Sequence, residues 1–267
     1  MGYALELLRS ERPGAPSAMV IIGADAHVRW ETLAGMELLK VISITDYRNN
    51  CRMPASASRP FDVKRDGFVL GEGAWAVVLE RECVVHKRGV KPIGELMGYG
   101  ATCDAFHRVR PNPDMAESAR AMRSACDDAS LNMQDVQFFH YHGTSTRLND
   151  ESESRAVKLA FGESHAHRLI GHSVKSMIGH PQGASGAASV VATLASLTNA
   201  DSDRRGPFSL PTINLDEPDV AGGCDLEYTP FSPRPVDPQD NSTFMVNCLA
   251  FGAKNSALVM RTTPVRA

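Results

Sequence analysis

Three short stretches carry the side chains best suited to chemistry. In YHGTSTRLNDESE, residues 141–153, His142 closes an apolar run and is followed by Gly143, Thr144, Ser145 and Thr146. Glycine lets a ligand come close to the backbone, and threonine hydroxyls offer hydrogen bonds to a polar arm. Asp150 and Glu153 fall on the first turns of the segment that follows. A loop histidine flanked by capping threonines would read the same way on its own. The second stretch, VKSMIGHPQGASGA, sets Lys175, Gly179 and His180 where a strand pattern gives way to a helical one. That is where α/β proteins gather their chemistry. A histidine at a helix N-terminus is disfavoured as the imidazolium, and the neutral ring can donate a hydrogen bond to developing negative charge. The plain alternative is a capping histidine beside a solvated lysine. The third stretch, NCLAFGAKNSA, puts Phe251 and Gly252 in a turn between two strand-like runs. Backbone N–H groups in such a turn can contribute to an oxyanion hole, although an ordinary hairpin with an aromatic plug looks alike.

The elements that would hold these residues alternate. Residues 17–26, SAMVIIGADA, read as a strand buried on both faces, and residues 73–80, GAWAVVLE, as another, followed by the helical RECVVHKRG. A longer, more polar strand is expected over residues 91–102. MAESARAMRSACDDASLN has a helical period with Ala116, Ala119, Met122 and Ala125/Cys126 inward. DVQFFHYH reads as a strand, and DESESRAVKLAFG as a helix with acids in its first turn and Gly162 as its stop. RLIGHSV is the next strand, HPQGASGAASVVATLASLTNA a helix packed through small residues, and TFMVNCLAF and NSALVMRT a hairpin around a tight turn. This order predicts an α/β protein with a final antiparallel pair. At the N-terminus, GYALELLRSER reads as the tail of an amphipathic helix with Leu5, Leu7 and Leu8 on one side.

Composition narrows the classes. Of 267 residues 43% are hydrophobic and 22% charged, enough apolar side chain for a sizeable core. A formal net charge of −3 offers no basic field for nucleic acid or an anionic membrane. The uncharged run over residues 176–200 is too rich in small and polar residues for a bilayer span. The six cysteines, without a CxxC pair, read as reduced thiols of a cytoplasmic protein. No metal site is expected: His140 with His142, and His165 with His167, lack further ligands.

Together the stretches resemble the β-ketoacyl synthases of the thiolase superfamily, the elongating 3-oxoacyl-ACP synthase type. The resemblance also runs through ASRPFDVKRDGFVLGEGAWAVVLE, PTINLDEPD and GCDLEYTP. It implies a thiolase-like layered αβαβα fold, incomplete here. Residues 1–90 would be the end of the N-terminal half and residues 91–267 the C-terminal domain. It further implies decarboxylative Claisen condensation of an acyl thioester with malonyl-ACP, in fatty acid or polyketide biosynthesis. His142 and His180 would assist decarboxylation and stabilise the enolate, with Lys175 ordering the site. Thr144 and Thr146 would contact the pantetheine arm, and Phe251 would be a gate whose backbone N–H serves the oxyanion hole. Asp150 and Glu153 would support the turn. The substrates ride on the phosphopantetheine of an acyl carrier protein, and no other cofactor is implied.

The family's nucleophilic cysteine opens a helix whose later part matches GYALELL, so it would lie about two turns before Gly2. None of the six cysteines sits in that context. Cys248, in a strand before the Phe251 turn, reads as a buried structural thiol rather than a second nucleophile. The expectation is a split synthase: a partner chain supplies the cysteine, and the two form a hetero-oligomer. A non-condensing structural partner resembling a chain-length factor, a malonyl-ACP decarboxylase and an inactive remnant are the alternatives. The family turn reading GFGGTN is AFGAKN here, with Ala250 and Ala253 for glycines and Lys254 for a small polar residue. An acidic residue usual nine positions after the second histidine is Ser189, so Lys175 is expected to be anchored differently, by Glu153.

Overall fold

The computed structural model describes residues 1–44, 53–198, 206–237 and 242–263. Cys51 and the last two residues of the small-residue run lie outside them. The chain begins with helix α1 (Gly2–Arg9), strand β1 (Ala18–Asp25), helix α2 (Trp30–Leu38), strand β2 (Gly73–Glu80) and helix α3 (Glu82–Arg88). Then follow β3 (Gly94–Cys103), α4 (Ala116–Asp128), β4 (Phe138–His140), α5 (Arg147–Phe161) and the short α6 (Glu163–Ala166). The last part runs through β5 (Ile170–His172), the four-residue α7 (Lys175–Ile178) and α8 (Ser185–Thr198). It closes with β6 (Phe208–Ser209), β7 (Arg234–Pro235), β8 (Thr243–Ala250) and β9 (Lys254–Thr262).

Five strands form a mixed sheet in the order β3-β9-β8-β4-β5. The β8–β9 hairpin and the β3–β9 pair are antiparallel, whereas β4 runs parallel to both β8 and β5. Both faces are covered. On one, Met122 of α4 and Val157 of α5 pack with Phe139 and Met245 of the sheet. On the other, Val190 and Leu197 of α8 pack with Phe138, Phe244 and Val246. Each such side chain stabilises the fold by roughly 1.5–3 kcal/mol through loss of apolar contact with water. Helix α8 is short in side chain because it is a middle layer: its other face meets the two-stranded sheet β1–β2.

Two expectations need correction. Strand β1 is not buried on both faces. It alternates, and its outward residues Val20 and Ile22 are 63% and 67% exposed, facing the same way as Val78 of β2 at 62%. Among the described residues no layer packs on that face, so a run apolar on both sides is left half bare. In α4, Ala116 is exposed. Met115 is buried in its place, with φ of 55° as the N-cap residue, while Ala119, Met122, Ala125 and Cys126 point inward as expected.

Candidate active site

The turn after β4 is held by two acids from the helix that follows it. Thr146 caps α5 by accepting from the Asn149 N–H at 3.3 Å, and this aims the first turns back at the loop. Glu153 accepts from the His142 N–H at 2.6 Å and the Gly143 N–H at 2.8 Å. Asn247 of β8 donates to the same carboxylate at 2.7 Å. Asp150 accepts from the Thr144 N–H at 3.0 Å and the Phe61 N–H at 2.8 Å, with the Arg65 guanidinium 3.5 Å away. Residue 143 must be glycine: its φ is 41°, and a Cβ there would sit 2.7 Å from the Ser173 Cβ.

His180 is set by a different device. Residues 69–71 run beside it, so that its N–H donates to the Val69 carbonyl at 2.7 Å and the Gly71 N–H donates to its carbonyl at 3.2 Å. A Cβ on residue 71 would lie 2.2 Å from the Ile178 carbonyl oxygen, so only glycine permits this approach. The histidine precedes a turn of 3-10 helix, Gln182–Ala184, rather than opening α8 directly. Its Nδ1 accepts from the Gln182 N–H at 3.2 Å and lies 3.0 Å from the Ser185 hydroxyl. With Nδ1 accepting, the ring proton belongs on Nε2.

The two imidazoles meet, with centroids 5.3 Å apart and planes at 83°. Burial, then the charge of Lys175, holds both well below the usual histidine range, so both are neutral. Lys175 is itself buried, which lowers its pKa. Its Nζ donates to the His142 carbonyl at 2.6 Å. The expected anchor on Glu153 is replaced by this contact, because the Glu153 oxygens are taken up by backbone and Asn247 donors. Burial raises the Glu153 carboxyl to about 7 against those donors.

A cavity of about 880 Å³ joins these groups, lined by His142, His180, Thr144, Thr146, Cys248 and Phe251. The Thr144 and Thr146 hydroxyls lie 3.0 Å apart. Phe251 is 48% exposed. The turn beside it places Ala253 at φ 59°, a left-handed conformation that strains a residue with a Cβ. Behind the site, His140 and His172 meet at 4.7 Å, both buried and held neutral, His172 at about 3.

Sequence reasoning passed over Asn247, Ser185 and Arg65. The clue for Asn247 was a polar residue amid the apolar β8 run; nothing local marked the other two. Among the described residues one cluster, Glu163, His167 and Asp225, has the spacing of metal ligands. The Lys158 ammonium pairs with both of its acids.

Comparison with known proteins finds relatives along most of the chain. Residues 3–83 match the β-ketoacyl synthase N-terminal domain and residues 93–201 the β-ketoacyl synthase C-terminal domain. The chain is 37% identical over 98% of its length to a 3-oxoacyl-[acyl-carrier-protein] synthase 2 of Synechocystis, covering 58% of that protein. It is 36% identical over 96% of its length to the synthase of that name in Staphylococcus aureus, covering 59% of it. The chain thus spans somewhat over half the length of these relatives. Among solved structures it resembles a β-ketoacyl synthase from Burkholderia phymatum, with a TM-score of 0.83 at 32% identity, covering 98% of this chain and 58% of that one. It also resembles a chain in the complex of a type II PKS acyl-carrier protein with its ketosynthase, with a TM-score of 0.85 at 30% identity, covering 98% and 59%. The chain belongs to the β-ketoacyl synthase family, and its fold is the thiolase-like fold of those neighbours.

Proposed function

We propose that this chain supplies the enolate-stabilising half of a β-ketoacyl-ACP synthase site. The observation that carries this reading is the pair of neutral imidazoles, His142 and His180, facing one another in a cavity beside a buried lysine. When the malonyl carboxylate leaves as CO2, its electron pair passes into an enolate. The Nε2–H of His180 and the ring of His142 stabilise the enolate oxygen as hydrogen-bond donors. Lys175 fixes the His142 backbone and, after burial itself, helps keep both rings neutral. The carbanion then attacks an acyl thioester, releasing a thiolate. Thr144 and Thr146 hold the pantetheine arm of an acyl carrier protein, and Phe251 gates the mouth and lends its N–H to the oxyanion hole. Asp150 and Glu153 are positioning residues for the 142–144 turn. The reaction runs in the cytoplasm and calls for no cofactor beyond that arm.

None of the six cysteines matches the family's nucleophile, and a partner seated on the bare β1–β2 face would bring that thiol to the cavity. The division near residue 90 separates what continues the partner's half of the fold from the C-terminal domain. The bare apolar face of β1–β2 supports this, since such a face marks a contact surface. One matched structure is of a ketosynthase/chain length factor, with a TM-score of 0.82 at 31% identity, covering 98% of this chain and 57% of that one. That gives a non-condensing structural partner some support. The complete His142, His180 and Lys175 set weighs against it, and against an inactive remnant.

The test is reconstitution with the complementary N-terminal segment of a related synthase. His142→Ala and His180→Ala should each lower malonyl decarboxylation and condensation by roughly 10²–10⁴-fold. Unaltered condensation overturns the assignment. The chain should be poorly soluble alone and soluble when co-expressed. A well-behaved monomer without a partner overturns the split arrangement.

A further inference from the structure

The turn that carries His142 is held by two acids of α5. A third acid, with no part in the chemistry described so far, holds the turn beside His180. Asp25 is the last residue of β1. Its Oδ2 accepts from the Gly183 N–H at 3.1 Å, across 158 positions of sequence. Gly183 is the middle residue of the 3-10 turn Gln182–Ala184. On one side of it, Gln182 supplies the N–H that His180 Nδ1 accepts. On the other, just past the turn, Ser185 places its hydroxyl 3.0 Å from the same nitrogen. Asp25 therefore grips the backbone between the two groups that settle the His180 tautomer. A carboxylate accepting from a backbone N–H makes one of the stronger hydrogen bonds.

Other contacts fix this grip. Asp25 Oδ1 lies 2.5 Å from His27 Nδ1. The His27 Nε2 is buried and has no hydrogen-bond partner among the described residues. The carboxylate is thus what orients that ring, and the ring in turn fixes the carboxylate. The segment that follows is tied to the opposite side of His180. The Val28 N–H donates to Glu72 Oε1 at 2.7 Å, and Glu72 adjoins residues 69–71, which bracket the His180 backbone. At residue 23, β1 comes so close that an added Cβ would lie 2.7 Å from the Ala187 Cβ and 3.3 Å from the Ala184 Cα. Packing this close passes a shift at one residue on to the next.

We propose that Asp25 is a positioning residue for His180: it holds the 182–184 turn so that Nδ1 keeps its partners and the Nε2–H stays available to the enolate oxygen. The part it plays in catalysis rests on reading His180 as an enolate-stabilising donor. Asp25 touches no reacting atom and takes up no proton, and His27 supports it by fixing the second carboxylate oxygen. Without the carboxylate the turn relaxes, Nδ1 loses the Gln182 N–H, and the ring is free to carry its proton on either nitrogen. In the other tautomer Nε2 presents a lone pair, which repels an enolate instead of stabilising it.

The experiment uses the full chain assembled with a complementary N-terminal segment, its histidine rings isotopically labelled at nitrogen. Long-range nitrogen–proton spectra at neutral pH report which ring nitrogen carries the proton, without any turnover. The His180 signals, identified by their loss in His180→Gln, should show Nδ1 bare and Nε2 protonated. In Asp25→Ala they should move toward a mixture of the two tautomers, while the His142 signals stay in place. The kcat for malonyl-thioester decarboxylation should fall by roughly tenfold or more with KM little changed. Asp25→Asn, which keeps an oxygen for the Gly183 N–H, should restore the tautomer and most of kcat. Where Asp25→Ala does not fold, His27→Gln reads the same signals, which should move in the same direction by less. Unmoved His180 signals, an equal shift at His142, an unchanged kcat, or no rescue by Asp25→Asn overturns the proposal. A wild-type complex that does not decarboxylate a malonyl thioester rejects the enolate reading, and the tautomer spectra still decide whether Asp25 holds His180.

Discussion

The two larger sheets of this molecule are made of similar residues and stand in opposite situations. In β3-β9-β8-β4-β5, α4 and α5 cover one face and α8 the other, so Phe138 and Phe139 point opposite ways and both are buried. In β1–β2, the inward residues meet α8, while Val20, Ile22 and Val78 face outward uncovered. Both site turns depend on this difference. The 142–144 turn grows out of the covered sheet and is clamped by acids that only a closed core can keep in place. His180 sits where α8 joins the two sheets, with Asp25 at the end of β1 accepting from the Gly183 N–H at 3.1 Å. One ring therefore rests on a layer covered on both faces and the other on the border of a layer with one face bare.

The comparison breaks first if the covered sheet proves tolerant. Phe139→Ala should destabilise by about 3–5 kcal/mol in urea unfolding, through lost burial and the cavity left behind. A change under about 1 kcal/mol would put the core elsewhere.

Acid should act on the covered region next. His140, His142, His172 and His180 are neutral in the fold, with pKa values held below the unfolded value. Their contribution is complete above about pH 6.5 and is lost as pH falls below it. Glu153 acts oppositely, because its carboxyl is raised to about 7 and the folded state holds that proton more tightly as pH drops toward 4.5. The net loss between pH 7.5 and 5.5 should be on the order of 3 kcal/mol, and the loss should grow in Glu153→Gln, which lacks the opposing proton. Flat stability over that range would contradict the neutral histidines.

The bare face sharpens the contrast. Val20→Thr with Ile22→Thr should alter the chain's own unfolding by no more than about 0.5 kcal/mol. Assembly with a complementary N-terminal segment should weaken by roughly tenfold or more, since covered methyl groups are worth about 0.8 kcal/mol each. Unchanged co-purification would mean that this face is not the contact.

The smallest effect concerns the hairpin at the mouth. Ala253→Gly relieves a left-handed φ and should raise stability by about 1 kcal/mol. A loss of stability would show that the methyl group packs usefully.

Much of the element order was legible because it is local. Period and turn chemistry set the strands at residues 138–140 and 243–250, the helix ending at Gly162 and the hairpin around Phe251. The histidines and threonines stood out because residue type and spacing survive in one dimension. The charge partners did not. Glu153 was expected to anchor Lys175 in place of the acid that is Ser189 here, but backbone N–H groups of the 142–144 turn reach that carboxylate first, and the lysine takes the His142 carbonyl.

The sequence by itself therefore determined the family motifs, the alternation of strands and helices, and His142, His180 and Lys175 as the residues worth following. Tertiary structure alone decided that the two rings meet, that the thiol of Cys248 lies against the first turn of α8, and that one face of β1–β2 stays uncovered. The reason is range: periodicity and capping act over a few residues, whereas these three outcomes depend on how β1, β2, β4, β8 and α8 pack across separations of tens of residues to more than a hundred.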